Sequence, residues 1–254
     1  MDVHPPHGPL HHWKDFWIHL GTITVGLLIA LALEAGAEKL HRLQQRHRLE
    51  VDLRNEGLRN REIMENDFEY LDKVVSYVLA ENHRVLEMEV GVLTPDLAPV
   101  SGEAYMNPAQ AAWATAVAGG TLDLLPPEEA RVYARLYRIS DVGYEATGAS
   151  NKTNVDVEAY GAKFADGVGF PPKPDLTRMS KAELDELSTL LLKDAMELRY
   201  QKLRIKYLYG ANNAVLRGAD SEREQVTAAH EAAVNVKDHI VDPGPVVGKA
   251  GSRE

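Results

Sequence analysis

Residues 16–33 read FWIHLGTITVGLLIALAL, a run of 18 residues that holds one histidine and no Asp, Glu, Lys or Arg. A helix needs about 20 mostly apolar residues to cross the hydrocarbon core of a bilayer. The run therefore predicts a membrane span near the N-terminus. Around it we expect a His- and Pro-rich tail over 1–15, a transmembrane helix over 16–37, a helical bundle domain over 38–241 and a flexible C-terminal tail over 242–254.

A cleaved signal peptide is the alternative interpretation of this run. Signal peptides have a basic n-region, an apolar core of about 7–15 residues and a small-residue cleavage site. Here the preceding tail has Lys14 as its one fixed side-chain cation, and the apolar run is longer than that core. Ala35-Gly36-Ala37 imitates a cleavage site, but Glu34 separates it from the run and the helical pattern continues through Leu40. We expect a retained anchor.

The composition fits an anchored soluble domain. Hydrophobic residues make up 44% of the chain and charged residues 26%, which is normal for a globular domain. The net charge of −10 argues against nucleic acid as a partner, because phosphate binding needs a basic face. The absence of cysteine excludes disulfides, thiolate nucleophiles, iron–sulfur clusters and cysteine zinc sites.

The charges that flank the span bear on its orientation. Lys39, Arg42, Arg46 and Arg48 follow the span, whereas Lys14 and the terminal amine precede it. The positive-inside bias then predicts that the C-terminal domain lies in the cytoplasm. Acidic residues lie among these cations, and many N-terminal anchors export the domain behind them, so the opposite orientation stays open.

The rest of the chain predicts an all-α fold, with long antiparallel helices in a bundle. No run alternates with a period of two over five or more residues. Apolar residues instead recur at helical steps of three, four and seven. On the helix after the span they are Leu49, Leu53, Met64, Phe68, Leu71, Val75 and Val78; on a later helix Leu184, Leu187, Leu191, Ala195 and Leu198; and on the last Val226, Ala229, Ala233, Val236 and Ile240.

Several start signals locate the helices. Asn107-Pro108-Ala109-Gln110 supplies an N-cap followed by proline at the first helical position, and Pro126-Pro127-Glu128-Glu129 supplies proline and acidic residues. Ser180-Lys181-Ala182-Glu183 and Ser221-Glu222-Arg223-Glu224 are capping boxes. We expect the first long helix to end near Val90, the helix from Ser180 to extend to Tyr209 and the last helix to include Ile240. Any preference for a strand falls between Val90 and Ala98.

A resemblance to known proteins rests on three further stretches. The span GTITVGLLIALALE (21–34) is followed by a long helix. The three further stretches, later in the chain, are Ala112-Trp113, Gly119-Gly120-Thr121-Leu122-Asp123-Leu124-Leu125-Pro126 and Leu136-Tyr137. This arrangement, over about 13–144, resembles a loose group of uncharacterised bacterial proteins with one N-terminal membrane helix and a helical domain of unknown function. The resemblance implies a bacterial envelope protein and no catalytic residues.

Residues that bear possible chemistry have more ordinary explanations. His4, His7, His11 and His12 have the chemistry to share a metal ion, but the prolines between them keep them off one helix face. His19 lies in the span, where ionisable residues are candidates for pigment ligation or for headgroup hydrogen bonding. Tyr133, Tyr137 and Tyr144 form a stripe that predicts a core edge with buried rings and wet hydroxyls. Because no HExxH, Walker A, GxSxG or GxGxxG motif occurs, we predict no enzyme, no metal and no cofactor.

The span itself carries the predicted sites. Thr22, Gly26 and Ala30 repeat every four residues, and small residues at this spacing let helix backbones approach in lipid. Trp13, Lys14 and Trp17 are the expected anchors at the membrane interface.

Two function classes follow from this pattern. The first is a structural or interaction subunit that stabilises a larger membrane assembly, with lipid and other membrane subunits, or a second copy, as partners. The second is a membrane-tethered ligand-sensing domain. The first is favoured because a sensor needs an output domain across the membrane, and residues 1–15 are too short to form one.

Overall fold

A computed structural model describes residues 13–101, 105–165 and 173–246, and within these ranges it contains five α-helices and no strand. The helices are α1 (Trp13–Glu89), α2 (Ala111–Ala118), α3 (Pro127–Gly161), α4 (Lys181–Leu216) and α5 (Glu222–Asn235). The prediction of an all-α fold is confirmed. The predicted tail over 1–15 and the end of the C-terminal tail fall largely outside the described residues.

The chain divides into two compact units, Met1–Glu50 and Val51–Glu254. The first unit contains the N-terminal part of α1. Every residue from 16 to 33 in it is exposed, and this part of α1 is long and apolar enough to cross a membrane.

The core of the second unit is formed where α1, α3, α4 and α5 bring their apolar faces together. The faces predicted for α1 and α4 are confirmed, because every residue predicted on them is buried except Phe68, which is half-buried against the core. Polar side chains interrupt the predicted face of α1 between Leu53 and Met64, where Glu56 and Asn60 point inward and are buried.

Local sequence signals explain most of the helix ends. Ser180 caps α4 with both hydrogen bonds of a capping box, and the Ser221 hydroxyl accepts from Glu224 N–H at the start of α5. α3 begins at Pro127 with Glu128 and Glu129 in its first turn, as predicted. α1 ends through Gly91, whose φ of +81° is the left-handed conformation that follows many helices.

Three predicted helix boundaries are wrong. α2 begins at Ala111 and not at Asn107-Pro108, because the Asn60 side-chain amide bonds both the N–H and the C=O of Ala109 and so holds that backbone outside a helix. α5 stops at Asn235, so Ile240 lies in a non-helical segment. α4 also extends past Tyr209 to Leu216, and residues 90–98 form neither helix nor strand.

α4 and α5 approach each other closely at Gly210. A Cβ atom placed on Gly210 would lie 2.2 Å from Ala228 O and 2.7 Å from Ala229 Cα, distances that backbone atoms cannot tolerate. Small residues on α5 complete the contact. Gly210 is therefore required by packing and not by its backbone angles.

We expect Gly210→Ala to destabilise the protein by about 2 kcal/mol or more, because the methyl group forces α5 away from α4. The free energy of unfolding, measured by urea denaturation in detergent with helical circular dichroism as the signal, tests this. Gly148→Ala on α3 is the matched control. Its Cβ would meet nothing within 4 Å, so it should be neutral or stabilise by about 0.5–1 kcal/mol. Equal effects of the two substitutions would contradict the packing argument.

Candidate functional site

The predicted packing face lies on the exposed part of α1. Thr22, Gly26 and Ala30 are all exposed, and the Cβ position of Gly26 has no neighbour within 4 Å. The Thr22 hydroxyl donates to Ile18 C=O at 2.9 Å, and Thr24 donates to Leu20 C=O at 2.8 Å. Both hydroxyls are satisfied inside their own helix, which makes the surface compatible with hydrocarbon.

The predicted interface anchors form an aromatic cluster at the start of α1. The ring centroids of Trp13 and Phe16 are 5.6 Å apart and stacked, and Trp17 meets both rings edge-on at 5.7 and 5.6 Å. Trp13 and Trp17 are exposed, as is Lys14. Aromatic rings beside a cation are typical of the headgroup level of a bilayer.

The histidines do not assemble in the part of the chain that is described. His19 is exposed on α1, and no group of three or more His, Asp or Glu residues within the described ranges is arranged to hold a metal. His230 Nδ1 lies 3.1 Å from the Tyr207 hydroxyl, a local contact. His4, His7, His11 and His12 lie outside the described residues.

The tyrosine stripe differs from the prediction at its hydroxyl groups. Tyr133 and Tyr137 are buried as expected, but the Tyr137 hydroxyl is not in water. It donates to the carboxylate of Glu56, which is 0% exposed and also accepts from Ala112 N–H at 2.7 Å. Burial and this contact with Glu56 raise the pKa of Tyr137. The Trp113 and Tyr137 rings stack with their centroids 4.8 Å apart. The Tyr137 side chain is therefore packed inside the protein and not open to solvent.

Glu56 belongs to a polar row on α1 that comprises Glu56, Asn60 and Asp67. Each member is buried and bonds the backbone of the segment 105–112: Glu56 holds Ala112, Asn60 holds Ala109 and Asp67 accepts from Met106 N–H at 3.0 Å. α3 adds Tyr144, whose hydroxyl donates to Pro108 C=O. The polar row therefore fixes the start of α2 and the non-helical residues before it against the bundle.

Asp67 is the least satisfied member of the polar row. Its Oδ1 accepts from Met106, while the buried Oδ2 has no hydrogen-bond partner among the described residues. Burial raises the pKa of Asp67 to about 7, and the hydrogen bond from Met106 opposes this shift only in part. The carboxyl is consequently neutral in the folded protein below that pH.

We expect Asp67→Asn to stabilise the protein at pH 8 and to have little effect near pH 4. An ordinary Asp in the unfolded chain has a pKa of about 3.9, so between that pH and about 7 the wild-type fold loses stability as pH rises. Asparagine resembles the protonated acid and avoids this loss. At pH 8 the free energy of unfolding of the variant should therefore exceed that of the wild type by at least about 1 kcal/mol. Urea denaturation at a series of pH values measures it.

The matched control is Asp52→Asn on the exposed face of the same helix. Its effect on stability should not change over the same pH range. A constant difference between wild type and Asp67→Asn from pH 4 to 8 would contradict the raised pKa.

A second polar site, the ionic cluster, joins α1, α4 and the segment that follows α5. It consists of Asp72, Lys202, Lys206 and Asp238. The Lys202 ammonium contacts Asp72 and lies 2.8 Å from Asp238 Oδ1, and Lys206 Nζ lies 2.8 Å from the same Asp238 oxygen. The Lys202 and Lys206 side chains are 2% and 6% exposed, whereas that of Asp238 is 50% exposed.

The ionic cluster also holds backbone. We call residues 236–241 the strap. Asp72 Oδ2 accepts from His239 N–H, and Ser76 Oγ accepts from Val241 N–H, both at 2.9 Å. Burial acts to raise the pKa of Asp238, but the hydrogen bonds and charges of Lys202 and Lys206 prevail and hold it below its usual range. Asp238 is therefore an anion at every physiological pH.

A groove of about 880 Å³ lies beside the strap. α1 supplies one wall, the strap another and the loop after α1 a third. Its lining residues are Glu65, Phe68, Glu69, Asp72, Lys73, Ser76, Tyr77, Ala98, Pro99, Val100, Ser101, Val236, Lys237, His239 and Val241. The lining therefore combines Phe68 and aliphatic residues with charged side chains.

Reasoning from the sequence missed both polar sites. One signal was present: the apolar face of α1 jumps from Leu53 to Met64, and Glu56 and Asn60 occupy the intervening inward positions. Lys202 likewise follows Leu198 by four residues and precedes Ile205 by three, which places it on the buried face of α4. No signal in the sequence pairs these groups with Asp238.

Comparisons with known proteins provide no relative from which a function could be inferred, so the function is argued from the sites described above. No protein-family model, no curated protein and no solved structure matches this chain.

Proposed function

We propose that the protein is a non-enzymatic, single-pass subunit that stabilises a larger assembly in a bacterial inner membrane. Residues 16–37 anchor it in lipid, and the helical bundle acts as the interaction module. The observation that carries the proposal is the stretch 16–33 of α1, which is uncharged and exposed along its whole length. In water such a surface would be strongly unfavourable, and a bilayer is the solvent that suits a helix apolar on every side.

The orientation belongs to the same proposal. The cations Lys39, Arg42, Arg46 and Arg48 follow the span and are exposed or half-buried on α1. Positive residues next to a span favour the cytoplasmic side, so we propose a cytoplasmic bundle. We further propose membership in the group of bacterial single-span proteins that the sequence resembles.

The experiment that best tests the proposal is purification of the tagged full chain from detergent-solubilised membranes. A stoichiometric complex with other membrane proteins is expected. A lone chain that copurifies a small molecule would overturn the proposal in favour of a tethered ligand-sensing domain.

We expect the full-length protein to stay with membranes through an alkaline carbonate wash, and deletion of residues 1–40 to release it into the soluble fraction. The physical reason is that the wash removes proteins held by charge but not a helix buried in hydrocarbon. Immunoblotting of the fractions is the measurement. A mature N-terminus near Ala37, or a full-length chain that washes off, would show that the run is a signal peptide.

We expect Gly26→Leu to weaken association through the span, because the leucine side chain holds the partner helix away from the Thr22, Gly26 and Ala30 face. Contacts between helices in lipid contribute only about 1–2 kcal/mol each, so one bulky residue is sufficient to reduce a modest association. Cross-linking yield in membranes is the measurement.

Leu27→Phe is the control for this substitution, since it adds bulk on a different face of the span. Its cross-linking yield should match that of the wild type. Equal yields for Gly26→Leu and Leu27→Phe would mean that Gly26 does not lie at a helix contact.

A further inference from the structure

The strap completes the charge balance of the ionic cluster. Lys202 and Lys206 are buried on α4, and among the described residues Asp72 is the buried carboxylate that pairs with Lys202. Without Asp238 the cluster would keep two cations and one anion. An uncompensated buried charge is strongly unfavourable, so the site requires a second anion. A half-exposed residue on a non-helical segment supplies it.

The bundle contacts the strap as it would contact an extended peptide. Two side chains one helical turn apart on α1, Asp72 and Ser76, accept from the N–H groups of alternate strap residues, His239 and Val241. Alternate N–H groups of an extended chain point to the same side. Hydrogen bonds to these groups recognise the backbone and do not depend on the side chains of the bound segment.

The side chains of the strap alternate in the same way. Asp238 reaches the two lysines, and Ile240 packs against the hydrophobic core, whereas His239 and Val241 are exposed. Two features of the strap therefore determine fit, a carboxylate and a branched aliphatic side chain two residues later. The groove of about 880 Å³ beside the strap leaves room for further residues of a bound chain.

We propose that this site is a receptor for an extended peptide with a carboxylate followed two residues later by a branched aliphatic residue, and that the strap is its tethered internal ligand. A partner that presents such a segment displaces the strap and takes over its contacts with Lys202, Lys206, Asp72 and Ser76. The strap keeps the site closed until then. This binding activity is independent of how the span associates in the membrane.

The test uses the full chain in detergent and a fluorescein-labelled peptide NVKDHIVDP, the sequence of residues 235–243. Fluorescence anisotropy gives the Kd. The wild-type chain should bind it weakly, because a tethered competitor acts at an effective concentration in the mM range. Asp238→Asn weakens that competitor, so the variant chain should bind the peptide at least about 10-fold more tightly. A peptide with asparagine at the Asp238 position should lose this gain.

Matched variants identify the contacts. Asp242→Asn makes the same change on an exposed residue beyond the strap and should bind as the wild type does. Adding Lys206→Met to the Asp238→Asn chain should remove the tighter binding. Equal Kd values for wild type and a folded Asp238→Asn chain, or equal binding of the two peptides, would overturn the proposal.

A second way to loosen the strap covers the case in which Asp238→Asn does not fold. Val241→Pro removes the N–H that donates to Ser76 and leaves the ionic cluster intact. It should also tighten peptide binding relative to the wild type. A folded Val241→Pro chain with unchanged affinity for the peptide would likewise overturn the proposal.

Discussion

Two lysine ammonium groups that are almost sealed from water set the constraint on which much of the bundle depends. Lys202 and Lys206 on α4 need anions within hydrogen-bond distance, because breaking a buried ion pair typically costs about 3–5 kcal/mol. Asp72 on α1 and Asp238 on the strap supply them. The chain after α5 is therefore drawn back across α1 and α4, which explains why α5 ends at Asn235 although its apolar pattern continues to Ile240.

The polar row on α1 follows the same rule with neutral backbone as its partner. Glu56, Asn60 and Asp67 take inward positions that leucine would otherwise fill, and each bonds the segment 105–112. Buried polar groups that find partners across elements select one arrangement, since any shift leaves them unpaired. α1 thus packs with its apolar residues and positions two non-helical segments with its polar ones.

The sequence determines those features that depend on local pattern. The all-α class, the buried faces of α1 and α4 and the capping box at Ser180 all arise from residues within one or two turns of each other. The starts of α2 and the end of α5 depend instead on Asn60 and Asp72, which lie 49 and 167 residues away in sequence from the backbone they bond. Contacts between residues so far apart in the sequence produce no periodic pattern in it. For the same reason the ionic cluster was not predicted, whereas the exposed apolar run at 16–33 was.

The two units satisfy their polar groups in different ways, and the difference bears on how each can recognise a partner. In the apolar part of α1, Thr22 and Thr24 bond carbonyl groups of their own helix, so these two hydroxyls are not free to donate to a neighbouring helix. Under the proposed function, association through this part of α1 rests on close packing, which in lipid contributes only modest energies. In the bundle, the ammonium groups of the ionic cluster lie beside two side-chain acceptors, Asp72 and Ser76, which accept from backbone N–H groups two residues apart. An unmatched ligand there leaves buried groups unpaired, and that penalty is what makes recognition selective. Under the proposed function, the span therefore supplies the location of the protein, and the bundle supplies the choice of partner.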